Sequence, residues 1–267
     1  MVAGAALSIS GASLQGVSRN PLVGPETLAV SAGAGFGAAF AIIFFDGGLT
    51  IQMCSFLFGL SAVLVTYVMS TSLKGYGSSI LTLILSGIAV SAIFSALIGI
   101  LKYIADPYEK LPTIVFWLLG SFSSISWDDV PNLLPMIVGI VILVLLRWRL
   151  NILSLGEEEA RTLGVNYGWT RAALIMAATL ATAAAVAISG IIAWVGLIVP
   201  HITRKLVGSD HKIMIPATVA VGSIFMVVCD TLARTLYSFE VPIGVVTSLI
   251  GAPFFIFLLW AGGKRKW

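Results

Sequence analysis

The sequence predicts an all-α integral membrane protein, a polytopic helical bundle with about nine spans. Three observations carry that reading. Hydrophobic residues make up 58% of the chain, charged residues only 10%, and the mean hydropathy is +1.04. Soluble domains carry about 25% charged residues. The apolar residues also fall in long continuous runs, not in the alternation that a membrane barrel needs. Finally, backbone polar groups in lipid must be satisfied internally, which leaves helices of roughly 20 apolar residues as the spanning element.

Taken in order, hydropathy and chain breakers place spans at 2–18, 27–45, 49–72, 79–103, 131–146, 171–192, 195–207, 213–235 and 248–261. The 195–207 segment is short for a full crossing. Ser8, Gly11, Ser13 and Gly16 in the first span, and Gly33, Gly35 and Gly37 in the second, are small residues that let helices approach closely in lipid. The Gly33–Gly37 run follows no strand and sits inside an apolar helix, so it reads as a packing surface and not a nucleotide loop.

Two connections each hold a proline, a short apolar run and a glycine: Pro112 to Gly120 and Pro242 to Gly251. Proline starts a helix well and glycine breaks it. Each segment reads as a half-helix dipping into the bundle, with an ordinary span end as the alternative. Cys54 and Cys229 lie far apart within or at the end of apolar spans and are expected to be packed thiols. His201 and His211 lie near loops and are expected to be solvated or capping residues.

Alternate loops sort the charges. One side holds Arg19, Lys74, Arg147, Arg149, Arg161, Arg171, Arg204, Lys205, Lys212, Lys264, Arg265 and Lys266, twelve of the fifteen basic residues. The other holds Lys102, Lys110 and Arg234 against seven acids. The positive-inside bias then puts the C-terminus in the cytoplasm of a multi-pass protein of the cell membrane. The basic residues sit in short flanks between spans, a pattern that reports orientation and not a nucleic-acid partner. Nine crossings that end inside place Met1 outside without a charged flank, so an upstream span is expected before this one.

The longest polar interruption runs from Arg147 to Arg171 and gives the chain its cytoplasmic loop, 147–171. Gly156 opens a turn, Glu157, Glu158 and Glu159 occupy the positive end of a short helix, Arg161 stands i,i+4 from Glu157, and Gly164 ends it. A rigid charged helix at the membrane surface suits docking of a soluble motor; a solvated connector is the plain alternative. Coupling-ion carriers keep ionisable groups within their spans, and the central parts of these spans hold essentially none. No G-x-x-x-x-G-K-[ST] pattern occurs. Energy for active transport must then come from another polypeptide.

Several stretches resemble the FecCD family of permeases, the membrane subunits of type II ABC importers for iron–siderophore complexes, haem and vitamin B12. They are NPLVGPETLAVSAGAGFG, LSLGEEEARTLGVN, SGIIAWVGLIVPHITRKLVGSDHK, CDTLAR and VPIGVVTSLIGAPFFIFLL. The resemblance covers essentially the whole chain as one permease domain, 1–267, and implies ten spans where nine are present. It implies a homodimer in the lipid bilayer, two ATP-binding cassette subunits beneath it and an extracytoplasmic substrate-binding protein above. ATP and magnesium are implied to stay on the partner ATPase, with no cofactor, metal or catalysis on this chain. By the same resemblance Gly156, Glu157, Glu158, Glu159, Ala160, Arg161, Leu163 and Gly164 form the ATPase-coupling segment. Arg234 matches a binding-protein docking arginine, Asn20 and Leu22 an inner gate, and Ser78 and Ser79 a second gate. A self-contained secondary carrier and a non-transporting truncated permease remain the rival readings.

Overall fold

A computed structural model describes residues 1–45, 47–72, 79–237 and 239–262. Among these the regular structure is helical: α1 (Val2–Ser18), α2 (Val30–Phe44), α3 (Gly48–Ser72), α4 (Ser79–Ile104), α5 (Lys110–Leu119), α6 (Leu134–Leu145), α7 (Arg147–Leu155), α8 (Glu157–Thr162), α9 (Tyr167–Ser189), α10 (Val195–Val207), α11 (His211–Thr235) and α12 (Ile243–Gly262). Short 3-10 helices precede α2 and α6, at Pro25–Leu28 and Trp127–Leu133.

Each of the nine expected spans is a helix here. Among the described residues five segments are long and apolar enough to cross a membrane alone: Gly48–Ser72, Ile80–Ile104, Trp127–Leu145, Tyr167–Ser189 and His211–Thr235. The 13 residues of α10 rise only about 20 Å, short of a roughly 30 Å hydrocarbon core. Its entry explains this: residues 190–194 are non-helical, with Gly190 and Ile192 buried and the other three half-buried, as expected where non-helical backbone at membrane depth is covered by protein.

α1 forms the centre of the bundle. Every residue from Ala3 to Ser18 is buried, against α6, α7, α9, α10 and α11. Three of its polar side chains are answered within the protein, while Ser13 Oγ is buried without a partner. Ser8 Oγ donates to the Thr218 carbonyl at 3.1 Å, Ser10 Oγ to the Ala178 carbonyl at 3.0 Å, and Gln15 Nε2 to the Gly196 carbonyl at 3.4 Å. Alongside, α2 packs on α3 because Gly33 and Gly37 put the backbones of Phe58 and Cys54 in direct contact with α2. That close approach confirms the packing role expected of the glycine run. Phe36 and Phe58 meet edge to face at 5.0 Å. Both cysteines are free thiols, Cys229 buried and Cys54 half-buried.

Three expectations change. The half-helix at Pro112–Gly120 exists as α5, starting two residues earlier at Lys110 and ended by Gly120 at φ 73°. Its supposed twin does not: Pro242–Gly251 runs on without a break into α12. Gly251 lies inside that helix, where its missing Cβ makes room for the Trp194 side chain. The two segments still meet, with the Ile243 amide donating to the Gly120 carbonyl at 3.0 Å. The third change concerns His211, one of two histidines expected to be solvated or capping: it is 8% exposed and so not solvated, while His201 is half-buried.

Candidate functional site: the α7–α8 elbow

The end of the bundle that gathers the basic residues carries α7 and α8, joined at Gly156. That glycine has φ 134° and ψ 174°, a conformation reserved for glycine, and a Cβ there would stand 2.5 Å from Glu159 Oε2. The chain turns sharply and α8 begins at once. Glu157, Glu158 and Glu159 fill its first turn, where three carboxylates complement the unbonded amides. At the other end the Gly164 amide donates to the Arg161 carbonyl and the Val165 amide to the Ala160 carbonyl, both at 3.0 Å. This paired closure, with Gly164 at φ 75°, is the Schellman arrangement that glycine favours.

One residue pins α8 to the bundle. Ala160 is 0% exposed and joins the apolar cluster of Leu150, Leu153, Tyr167 and Leu174. Glu157, Glu158, Glu159, Arg161 and Leu163 all stay exposed. The result is a short, doubly capped rod, with one methyl facing in and a charged face with a leucine facing out. A cavity of about 200 Å³ opens beside it, lined by Tyr67, Thr71, Glu157, Tyr167 and Arg171.

The predicted residues divide between the two ends. The eight coupling residues are together on α8 and its caps. Asn20 and Leu22 share that end of the bundle: the α1–α2 loop brings Arg19 Nη1 within 3.6 Å of the Cβ position at Gly156. Asn20 Oδ1 accepts from the Leu22 amide at 2.9 Å, which leaves the Leu22 side chain 48% exposed. Ser78 lies outside the described residues, and Ser79 begins α4. Arg234 is at the opposite end, in the last turn of α11, where its Nε donates to both carboxylate oxygens of Asp230 at 3.1 Å.

Two features were missed in the sequence. Asn151, on α7, reaches Asp210 and His211 at the start of α11; Asp210 just before a helix was a visible cap signal, but its partner lies 59 residues away. The Asn151 amide and the Lys212 backbone amide hold the Asp210 carboxyl below its ordinary value of 3.8. The second is Arg204, half-buried on α10 with Nη2 3.3 Å from Gln15 Oε1.

Comparison with known proteins agrees with this architecture. The model of the FecCD transport family matches residues 1–261. The molybdate import permease of Haemophilus influenzae is 43% identical over 267 residues, covering 98% of this chain and 79% of its own. A probable iron chelatin transport permease of Helicobacter pylori is 38% identical over 261 residues, covering 97% and 78%. Among solved structures, a metal-chelate type ABC transporter in an inward-facing conformation superposes with a TM-score of 0.91 at 42% identity, over 97% of this chain and 83% of that one. The chain therefore belongs to the FecCD transport family and is a permease subunit of a type II ABC importer.

Proposed function

We propose that this permease imports a metal chelate by alternating access, driven by a separate ATPase that seats on α8. The observation that carries the proposal is the build of α8: six residues, capped at both ends by glycines, fixed by the buried Ala160 and open along its acidic face. A helix held that rigidly passes displacement to the bundle and does not absorb it. The names of two relatives, an iron chelatin permease and a metal-chelate type transporter, support the substrate class, whereas the molybdate permease is named for an oxyanion. Two copies of the chain enclose the path, with two ATP-binding cassette subunits below and a binding protein docking at the Arg234 end. ATP and magnesium stay on the ATPase, and this chain catalyses nothing. The basic end then faces the cytoplasm, as positive-inside bias requires, and Asn20 and Leu22 line the inner gate beside α8.

The test is co-purification with the ATPase and binding protein encoded beside it, with ATP hydrolysis read in proteoliposomes. Glu158→Lys and Arg161→Glu should each release the ATPase from an otherwise folded permease. ATPase binding that survives both reversals would remove α8 from the interface.

A further inference from the structure

Three hydrogen bonds from one side chain join α7 to α11. Asn151 Oδ1 accepts from the His211 backbone amide at 3.0 Å and lies 2.8 Å from His211 Nδ1. Asn151 Nδ2 donates to Asp210 Oδ1 at 2.7 Å. The same Asp210 oxygen accepts from the Lys212 amide at 2.9 Å, so the link is made to the N-cap of α11 itself. Because Asn151 Oδ1 can only accept, Nδ1 of His211 carries the proton. Its Nε2 is then buried without a partner and faces Gly16 of α1, where a Cβ would stand 2.8 Å away.

α8 joins α7 through Gly156 and packs Ala160 against Leu150 and Leu153 of α7, with Tyr167 and Leu174 of α9 on its other side, so what holds α7 bears directly on where a push on α8 goes. Leu150 and Leu153 bury α7 in the core at 0% exposure, but apolar contact is non-directional and permits sliding. The Asn151 bonds are directional, and one of them goes to a carboxylate, which makes it stronger than a neutral pair. We propose that Asn151 is the positioning residue that makes α7 and α11 one rigid body, so that displacement of α8 is delivered to α11 and, through His211, to α1. This rests on the reading of α8 as the ATPase contact and adds the route by which the stroke enters the core.

The test needs no substrate. Spin labels at Ser154→Cys on α7 and Ile213→Cys on α11, both exposed or nearly so, in a Cys54→Ser/Cys229→Ser background, report the α7–α11 distance. It is measured on the permease alone and on the ATPase complex with and without ATP. The parent should give one narrow distribution that ATP does not move. N151D sets two carboxylates against each other and should broaden it. The exchange N151D/D210N should restore it, because the carboxylate at 151 still accepts from His211 while the amide at 210 donates back and still caps Lys212. Rescue of this kind separates positioning from bulk. Asn151→Ser, which adds no charge, covers the case in which N151D fails to fold. It removes the bond to Asp210 and should broaden the distribution with no rescue by D210N.

A parent distance that shifts with ATP overturns the proposal, as does a narrow distribution in N151D or Asn151→Ser, or a broad one in the folded double exchange. The measurements on the permease alone are independent of the ATPase. Failure of the clasp is thus distinguishable from failure of α8 docking, which Glu158→Lys and Arg161→Glu report.

Discussion

Arg161 Nη2 lies 2.7 Å from Glu157 Oε1, one helical turn away, and both side chains are more than half exposed, at 73% and 53%. An exposed i,i+4 pair of this kind contributes about 0.3–0.5 kcal/mol. Arg161→Gln should therefore leave the thermal midpoint of the detergent-solubilised permease within a degree or so of the parent while weakening ATPase association. A large loss of thermal stability would mean that the pair is structural and that α8 does not present a free charged face.

Ala160 tests the opposite property. Ala160→Asp places a carboxylate in the apolar cluster with Leu150, Leu153 and Leu174, a change of the kind that costs about 2–4 kcal/mol. The expected result is a lowered thermal midpoint together with loss of ATPase stimulation, although no charged contact of the outer face has been touched. Ala160→Gly, which keeps the site apolar but removes the methyl that pins α8, should cost less, about 1–2 kcal/mol, and lower stimulation only in part.

At Gly156 the backbone and not the side chain is at stake. With φ 134° and Glu159 Oε2 already at the Cβ position, Gly156→Ala should cost about 1–3 kcal/mol and re-aim α8. Gly164→Ala, at φ 75° with nothing within 4 Å of its Cβ position, should cost about 1 kcal/mol. Amide exchange across 157–163 checks both, and the first substitution should speed it more than the second.

Asp210 gives a pH dependence with a definite sign. Its carboxyl is held below 3.8 by Asn151 and by the Lys212 amide, so the folded form binds a proton less readily than the unfolded form. The contribution of the clasp is fully present above the ordinary carboxylate value and is lost as pH falls through the lowered one. Exchange of the His211 and Lys212 amides, corrected for intrinsic rate, should stay slow down to pH 4 and quicken only below it. In D210N that acid quickening should vanish.

Much of this architecture could be read from residue order, because membrane helices announce themselves by composition and α8 by its own punctuation. Gly156, three glutamates, Arg161 and Gly164 specify a helix of known length without reference to anything distant. Gly251 misled for the complementary reason. A glycine in an apolar run reads as a break unless the Trp194 side chain that needs its space is known, and that residue arrives from another segment. Asn151 was silent on the same ground: its meaning lies wholly in Asp210 and His211, which folding brings to it. What was legible was local, and what was not was contact between elements.

α1 carries a consequence for how the protein is made. Sixteen of its seventeen residues are buried by other helices, and four serines and Gln15 are among them where a lipid-facing span would show leucine. Such a segment has little affinity for hydrocarbon on its own. Its surrounding helices α9, α10 and α11 begin only at Tyr167, long after α1 has left the ribosome. α1, made well before them, must therefore wait, sheltered at the insertion machinery or by early neighbours, until α9, α10 and α11 arrive to enclose it.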